Sequence, residues 1–135
     1  MERADARERS LKMNEHETEL TELIPILRIF DESKARAFYV DYLGFTVDFE
    51  HRFEAGMPLY FQVSRGPVKL HLSEHNGDCK PGSAVRIGVR NLEALRSELQ
   101  DKPHDFSLPD IVSKSWGMRE LGLFDPFGNR VVFWE

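Results

Sequence analysis

The chain has 135 residues, enough for a single domain that buries about two-thirds of its unfolded surface in one core. Its apolar share of 41% and charged share of 30% are those of a globular protein, and no apolar run approaches the ~20 residues of a membrane span. The net charge of -5, with basic residues forming no stripe, argues against nucleic acid as a partner, while the lack of an apolar leader and the lone Cys79 point to a reducing cytoplasm.

Residues 1–22 are rich in Glu and Arg, and their apolar positions (Leu11, Met13, Leu20) are too sparse to define a buried face, so they are expected to form a charged extension, partly helical or disordered. From Leu23 the run LIPILRIF reads as a strand, and Pro25, which cannot donate to a ladder, places it at a sheet edge or at a bend. Asp31 or Ser33 can cap the next segment, where Ala35, Phe38, Tyr39 and Tyr42 recur at helical spacing and Gly44 ends the pattern; a helix over about 32–43 is expected. FTVDFEHRF, PLYFQVS and VKLHLSEH follow as three antiparallel strands separated by turn signals.

After the loop NGDCKPGS the order repeats: strand AVRIGV, an Asn91 cap, a helix carrying Leu92, Leu95 and Leu99, an early strand within FSLPDIV, strand MRELGLF, the turn DPFGN and strand RVVFW. The prediction is an α+β domain over 23–135, built from two βαβββ repeats (about 23–75 and 83–135). Its curved antiparallel sheets should surround a pocket, with the helices on the outer faces.

Alternation assigns the faces, since the apolar set of each strand should lie under its helix. Ile24, Ile26 and Arg28 then face inward from the first strand, Lys69, His71 and Ser73 from the fourth, Ala84, Arg86 and Gly88 from the strand that opens the second half, and Arg130, Val132 and Trp134 from the last. Arginines at Arg28, Arg86 and Arg130, on a face that a purely structural sheet would fill with apolar residues, suggest a ligand surface.

With this repeat and the segments FYVDYLGF and SWGMRELGLFDPFGNRVVFWE, the chain resembles the glyoxalase and bleomycin-resistance superfamily, also called vicinal oxygen chelate proteins. Metal-dependent members carry His, Gln or Glu on inner strands, and the matching positions here are Ile24, seven residues before Asp31, Ala84, seven before Asn91, and Val132, seven after Asp125. None of the three offers a donor atom, so the resemblance implies no metal, no other cofactor and no catalytic residue of the family type. The nearest subgroup in texture is the bleomycin-resistance type, whose members sequester an antibiotic. It implies a homodimer, possibly by exchange of the N-terminal strand containing Pro25, and ligand contacts at Asp48-Phe49 and at Trp116 of Trp116-Gly117. In that subgroup aromatics stack on the flat rings of the drug and acids meet its cationic tail.

The expected ligand-binding set is Arg28, Asp48, Phe49, His71, Ser73, Arg86, Trp116, Glu120 and Arg130. Three inward arginines would suit a carboxylate or phosphate better than a cation, so the partner is a bleomycin-like drug or an anionic metabolite. The weaker alternative is a lyase or dioxygenase with a metal site relocated to His71 and Glu120, or to His71 and His75 with Glu74, Asp78 and Cys79 nearby. Against each sharp reading stands a plain one: His71 hydrogen-bonds while His75 begins a solvated loop, Trp116 anchors a loop, Phe49 is dimer core, Glu120 pairs with an inward arginine, and Cys79 beside Asp78 is inert. A third reading is an interaction module whose pocket is filled by its own side chains.

Overall fold

The structure is a computed structural model and describes residues 17–135; expectations for residues 1–16 lie outside the described residues. Strand β1 (Ile26–Arg28) leads into α1 (Glu32–Ala35), capped by the Asp31 carboxylate, which accepts from the Lys34 N–H at 2.9 Å. The helix then widens into π-type turns over Arg36–Tyr42, where the Leu43 N–H reaches the Phe38 carbonyl at 2.9 Å, and Gly44 closes it at φ 77°. The helical spacing is thus realised with a wider pitch than an α-helix. That pitch turns Phe38, Tyr39 and Tyr42 all into the core.

Strands β2 (Thr46–His51), β3 (Tyr60–Arg65) and β4 (Val68–Ser73) complete the first sheet, in the order β1-β4-β3-β2 with β1 parallel to β4. Pro25 therefore precedes an edge strand, as its missing N–H demands. The second half repeats the design with β5 (Ala84–Gly88), α2 (Leu92–Asp101), β6 (Val112–Ser113), β7 (Arg119–Phe124) and β8 (Arg130–Trp134), in the order β5-β8-β7-β6. The early strand expected within FSLPDIV shrinks to Val112–Ser113 and overlaps the prediction at one residue. Pro103 and Pro109 break the preceding segment, which cannot extend a ladder. Both sheets are mixed, because β1 and β5 run parallel to their neighbours.

One core joins the halves. Leu27, Phe61, Leu70 and Leu72 of the first sheet and Leu121, Leu123, Val131 and Phe133 of the second are buried in the same cluster as Phe38, Tyr39, Leu95 and Leu99 from the helices. The turn DPFGN pins the joint. Asp125 accepts the Tyr39 phenol at 2.6 Å, while Asn129 donates to the Arg28 carbonyl at 2.7 Å and accepts from the Ser83 N–H at 3.2 Å. Among the described residues no helix is long and apolar enough to cross a membrane.

Candidate functional site

The inward rows form two clusters, one per sheet. On the first sheet a bulge between Val47 and Phe49 leaves Asp48 without a ladder partner. Its carboxylate accepts from the Gln62 amide at 2.9 Å and the Ser64 hydroxyl at 3.0 Å, and these bonds hold it below its usual pKa. With the Gln62 NH2 thus committed, its Oε1 faces His71 Nε2 at 2.9 Å. His71 therefore carries its proton on Nε2, and Nδ1 accepts the Tyr60 hydroxyl. Burial lowers the His71 pKa, so the ring is neutral at pH 7. Phe49 stands edge-on to the same ring, with centroids 5.8 Å apart. Lys69, also on this face, pairs with Glu22 at 2.8 Å.

On the second sheet Glu120 is buried and anchors a basic group. Its Oε2 takes Arg86 Nη1 at 2.8 Å, Lys114 Nζ lies 3.9 Å from Oε1, and the bond from Arg86 keeps the carboxyl ionised below its usual range. Arg130 crosses Gly122, where an added Cβ would lie 3.5 Å from Nη2, and its guanidinium has no hydrogen-bond or ion-pair partner among the described residues. Three cations around one carboxylate leave this face positive. Aromatic surface adjoins it: Trp134 lies 6.0 Å from the Arg86 guanidinium, and Phe124, opposite Arg130 in the ladder, is 66% exposed. Trp116 sits at the tip of the β6–β7 hairpin, 67% exposed.

Two of the nine expected residues are placed elsewhere. Ser73 is fully buried, and its hydroxyl donates to Asp78 at 2.6 Å and accepts from the His75 N–H at 3.0 Å, which makes it a support for the following loop. Arg28 lies at the end of the first sheet, stacked 4.6 Å from the Phe30 ring and donating to the Glu74 carbonyl, beside a cavity of about 330 Å³ lined also by Arg52, Met57 and Pro58. Arg28, Arg86 and Arg130 therefore do not share one pocket floor, and no hydrogen bond or ion pair among the described residues joins the two inward clusters. Within one chain the halves meet through helices and turns and their inward faces stay open, so the two sheets form no closed barrel. A separate cavity of about 340 Å³ lies on the helix side.

The residues at the family's metal positions do not fit a metal. Ala84 pairs in register with Arg130, Val132 with Gly122 and Arg86, and Ile24 brings only hydrocarbon. The relocated sites do not assemble either: both His71 nitrogens are engaged within the first sheet, Glu120 belongs to the second, and among the described residues no three His, Cys, Asp or Glu side chains converge. The Cys79 thiol is pushed up by burial and by Asp78, which disfavours the thiolate. Sequence reasoning missed Tyr60, Gln62 and Ser64, although the alternation of PLYFQVS against Phe61 and Val63 contains them; Lys114 carries no such signal.

A family model described as a glyoxalase superfamily protein matches residues 10–135. No curated protein matches the chain. Among solved structures, the bleomycin-binding protein from bleomycin-producing Streptomyces verticillus, complexed with copper(II)-bleomycin, is 29% identical, with 87% of this chain and 97% of that chain covered and a TM-score of 0.65. A bleomycin-binding protein complexed with bleomycin is 20% identical over 86% and 98%, with a TM-score of 0.66, and a glyoxalase family protein from Enterococcus faecalis is 16% identical over 87% and 97%, with a TM-score of 0.64.

Proposed function

The chain belongs to the glyoxalase superfamily, and on that premise we propose that it is a homodimeric small-molecule binding protein of the bleomycin-resistance type, sequestering its ligand on the inward faces. The observation that carries this reading is the second sheet's inward face, where Arg130, without a hydrogen-bond or ion-pair partner among the described residues, and a Glu120-held Arg86 stand beside Trp134 and the exposed Phe124. Guanidinium groups beside exposed aromatic surface bind a flat ring carrying a carboxylate or phosphoryl group. Asp48, the acid expected to meet a cationic tail, stands on the other sheet, bonded to Gln62 and Ser64, so the charge of the second sheet's face favours an anionic ligand over a cationic one.

A second copy supplies the missing wall. The open faces expose Phe49 and Phe124, and the extended segment before β1 exposes Leu20 and Leu23. Glu22 of that segment is held by Lys69 on the inward face, and the Pro25 carbonyl accepts the His71 N–H at 3.0 Å. An arm that lies along an open face with its leucines uncovered is suited to exchange between two chains.

Tryptophan fluorescence tests the reading, since Trp134 lies on the basic face, 6.0 Å from the Arg86 guanidinium. Phenyl phosphate is expected to quench saturably and more tightly than bleomycin, and Arg130→Ala to weaken phenyl phosphate about tenfold or more. Absence of a response to either ligand contradicts the proposal.

A further inference from the structure

The helix-side cavity of about 340 Å³ shares none of the nine expected ligand residues. Its wall is apolar and comes from both halves: Phe45 and Val68 from the first, Ile87, Leu95 and Phe133 from the second. This size and lining are those of a small-molecule site, at the lower end of the usual range. Burial of most of these side chains in the core fixes the wall in place.

The rim decides what charge fits. Arg65 and Glu98 are spent on each other through paired bonds of 3.0 and 2.9 Å, and Arg65 also donates to the Leu43 carbonyl at 2.9 Å. The start of α2 is satisfied as well: the Glu135 carboxylate takes the Asn91 and Leu92 N–H groups at 2.8 and 3.0 Å, and the Asn91 side chain takes that of Ala94 at 3.2 Å. The ion pair is close to neutral and offers an incoming anion no net positive charge, and the helix-end N–H groups of Asn91, Leu92 and Ala94 are already taken. Arg90, exposed on the same rim, has no hydrogen-bond or ion-pair partner among the described residues. An apolar chamber with one open guanidinium at its mouth is complementary to a molecule with a hydrocarbon body and a single negative head.

We propose that this cavity binds an amphipathic carboxylate, its hydrocarbon body against Phe45, Ile87, Leu95 and Phe133 and its head on Arg90. A neutral or cationic amphiphile makes the same apolar contacts but leaves the guanidinium unmatched. The ligand touches both halves, so binding would also resist their separation.

Calorimetric titration of the full chain with hexanoate, octanoate and octylamine tests the proposal. Octanoate is expected to bind about threefold to fourfold tighter per added methylene than hexanoate, and at least tenfold tighter than octylamine. Arg90→Gln should weaken octanoate about tenfold without weakening octylamine. Ala94→Trp, a change at an exposed lining position of α2, should block both. The proposal is overturned by any of four results: no heat from octanoate, equal affinity for octanoate and octylamine, full binding by Ala94→Trp, or octanoate-driven dissociation of a dimer, which would make the cavity an interface between copies. Octanoate binding that falls with Arg130→Ala but not with Arg90→Gln belongs to the inward face and overturns it too.

Discussion

The protonation state of His71 follows from Asp48, two hydrogen bonds away. The carboxylate orients the Gln62 amide, the amide selects the Nε2–H tautomer, and Nδ1 is left to accept from Tyr60. Burial adds to this by disfavouring the imidazolium, so the native pKa lies below the ordinary 6.5. The unfolded chain therefore binds a proton before the folded one does. Stability from His71 is complete above about pH 6.5 and is lost as pH falls from there through the native pKa. A His71 titration midpoint below 6.5 by NMR is expected, and His71→Gln should flatten the decline in melting temperature between pH 7 and pH 5. An unchanged slope would show that the ring's environment is not the one described. At this scale the sequence was partly legible: alternation put His71 inward, but the bulge at Asp48 and the spending of Ser73 on Asp78 depend on contacts that no strand pattern encodes.

Among the elements, the turn Asp125–Asn129 carries more than its turn chemistry. Asp125 and Asn129 read as turn formers, and they are that: the Asp125 carboxylate takes the Phe127 and Asn129 N–H groups at 2.8 Å. The same two residues also tie the second half to α1 and β1 through Tyr39 and Arg28, in a fully enclosed network. Burial and the adjacent carboxylate drive the Tyr39 phenol pKa far up, which keeps it a donor at any working pH. Tyr39→Phe removes one charge-assisted buried bond, and a loss of about 1.5–3 kcal/mol is expected by urea denaturation with the slope unchanged. A change below about 0.5 kcal/mol, the size of an ordinary surface substitution, would contradict a structural role for the joint. Helices and strands were legible from periodicity because each buries one face. The π-type pitch over Arg36–Tyr42 was not, since the same apolar spacing fits either pitch.

For the whole molecule, the repeat predicted the fold but not its use of space. Each half presents its own inward face, the joint lies on the helix side, and the two clusters of polar residues remain separate within one chain. In the proposed dimer, enclosure falls to a second copy. The uncovered leucines of the arm make this measurable: by sedimentation equilibrium the chain should be a dimer, and the paired change Leu20→Ser with Leu23→Ser should weaken the dimer at least tenfold, while equal dimer strength in both proteins would remove the arm from the interface.

The claim on which the rest depends is that the ligand lies on the inward faces, and amide chemical-shift mapping with phenyl phosphate addresses it most directly. Saturable shifts are expected, concentrated at Gly122, Val132 and Trp134, with smaller ones at Gln62 and His71 and with the Arg86 and Arg130 amides included. Shifts confined to the helix side, or none at saturating ligand, would contradict it.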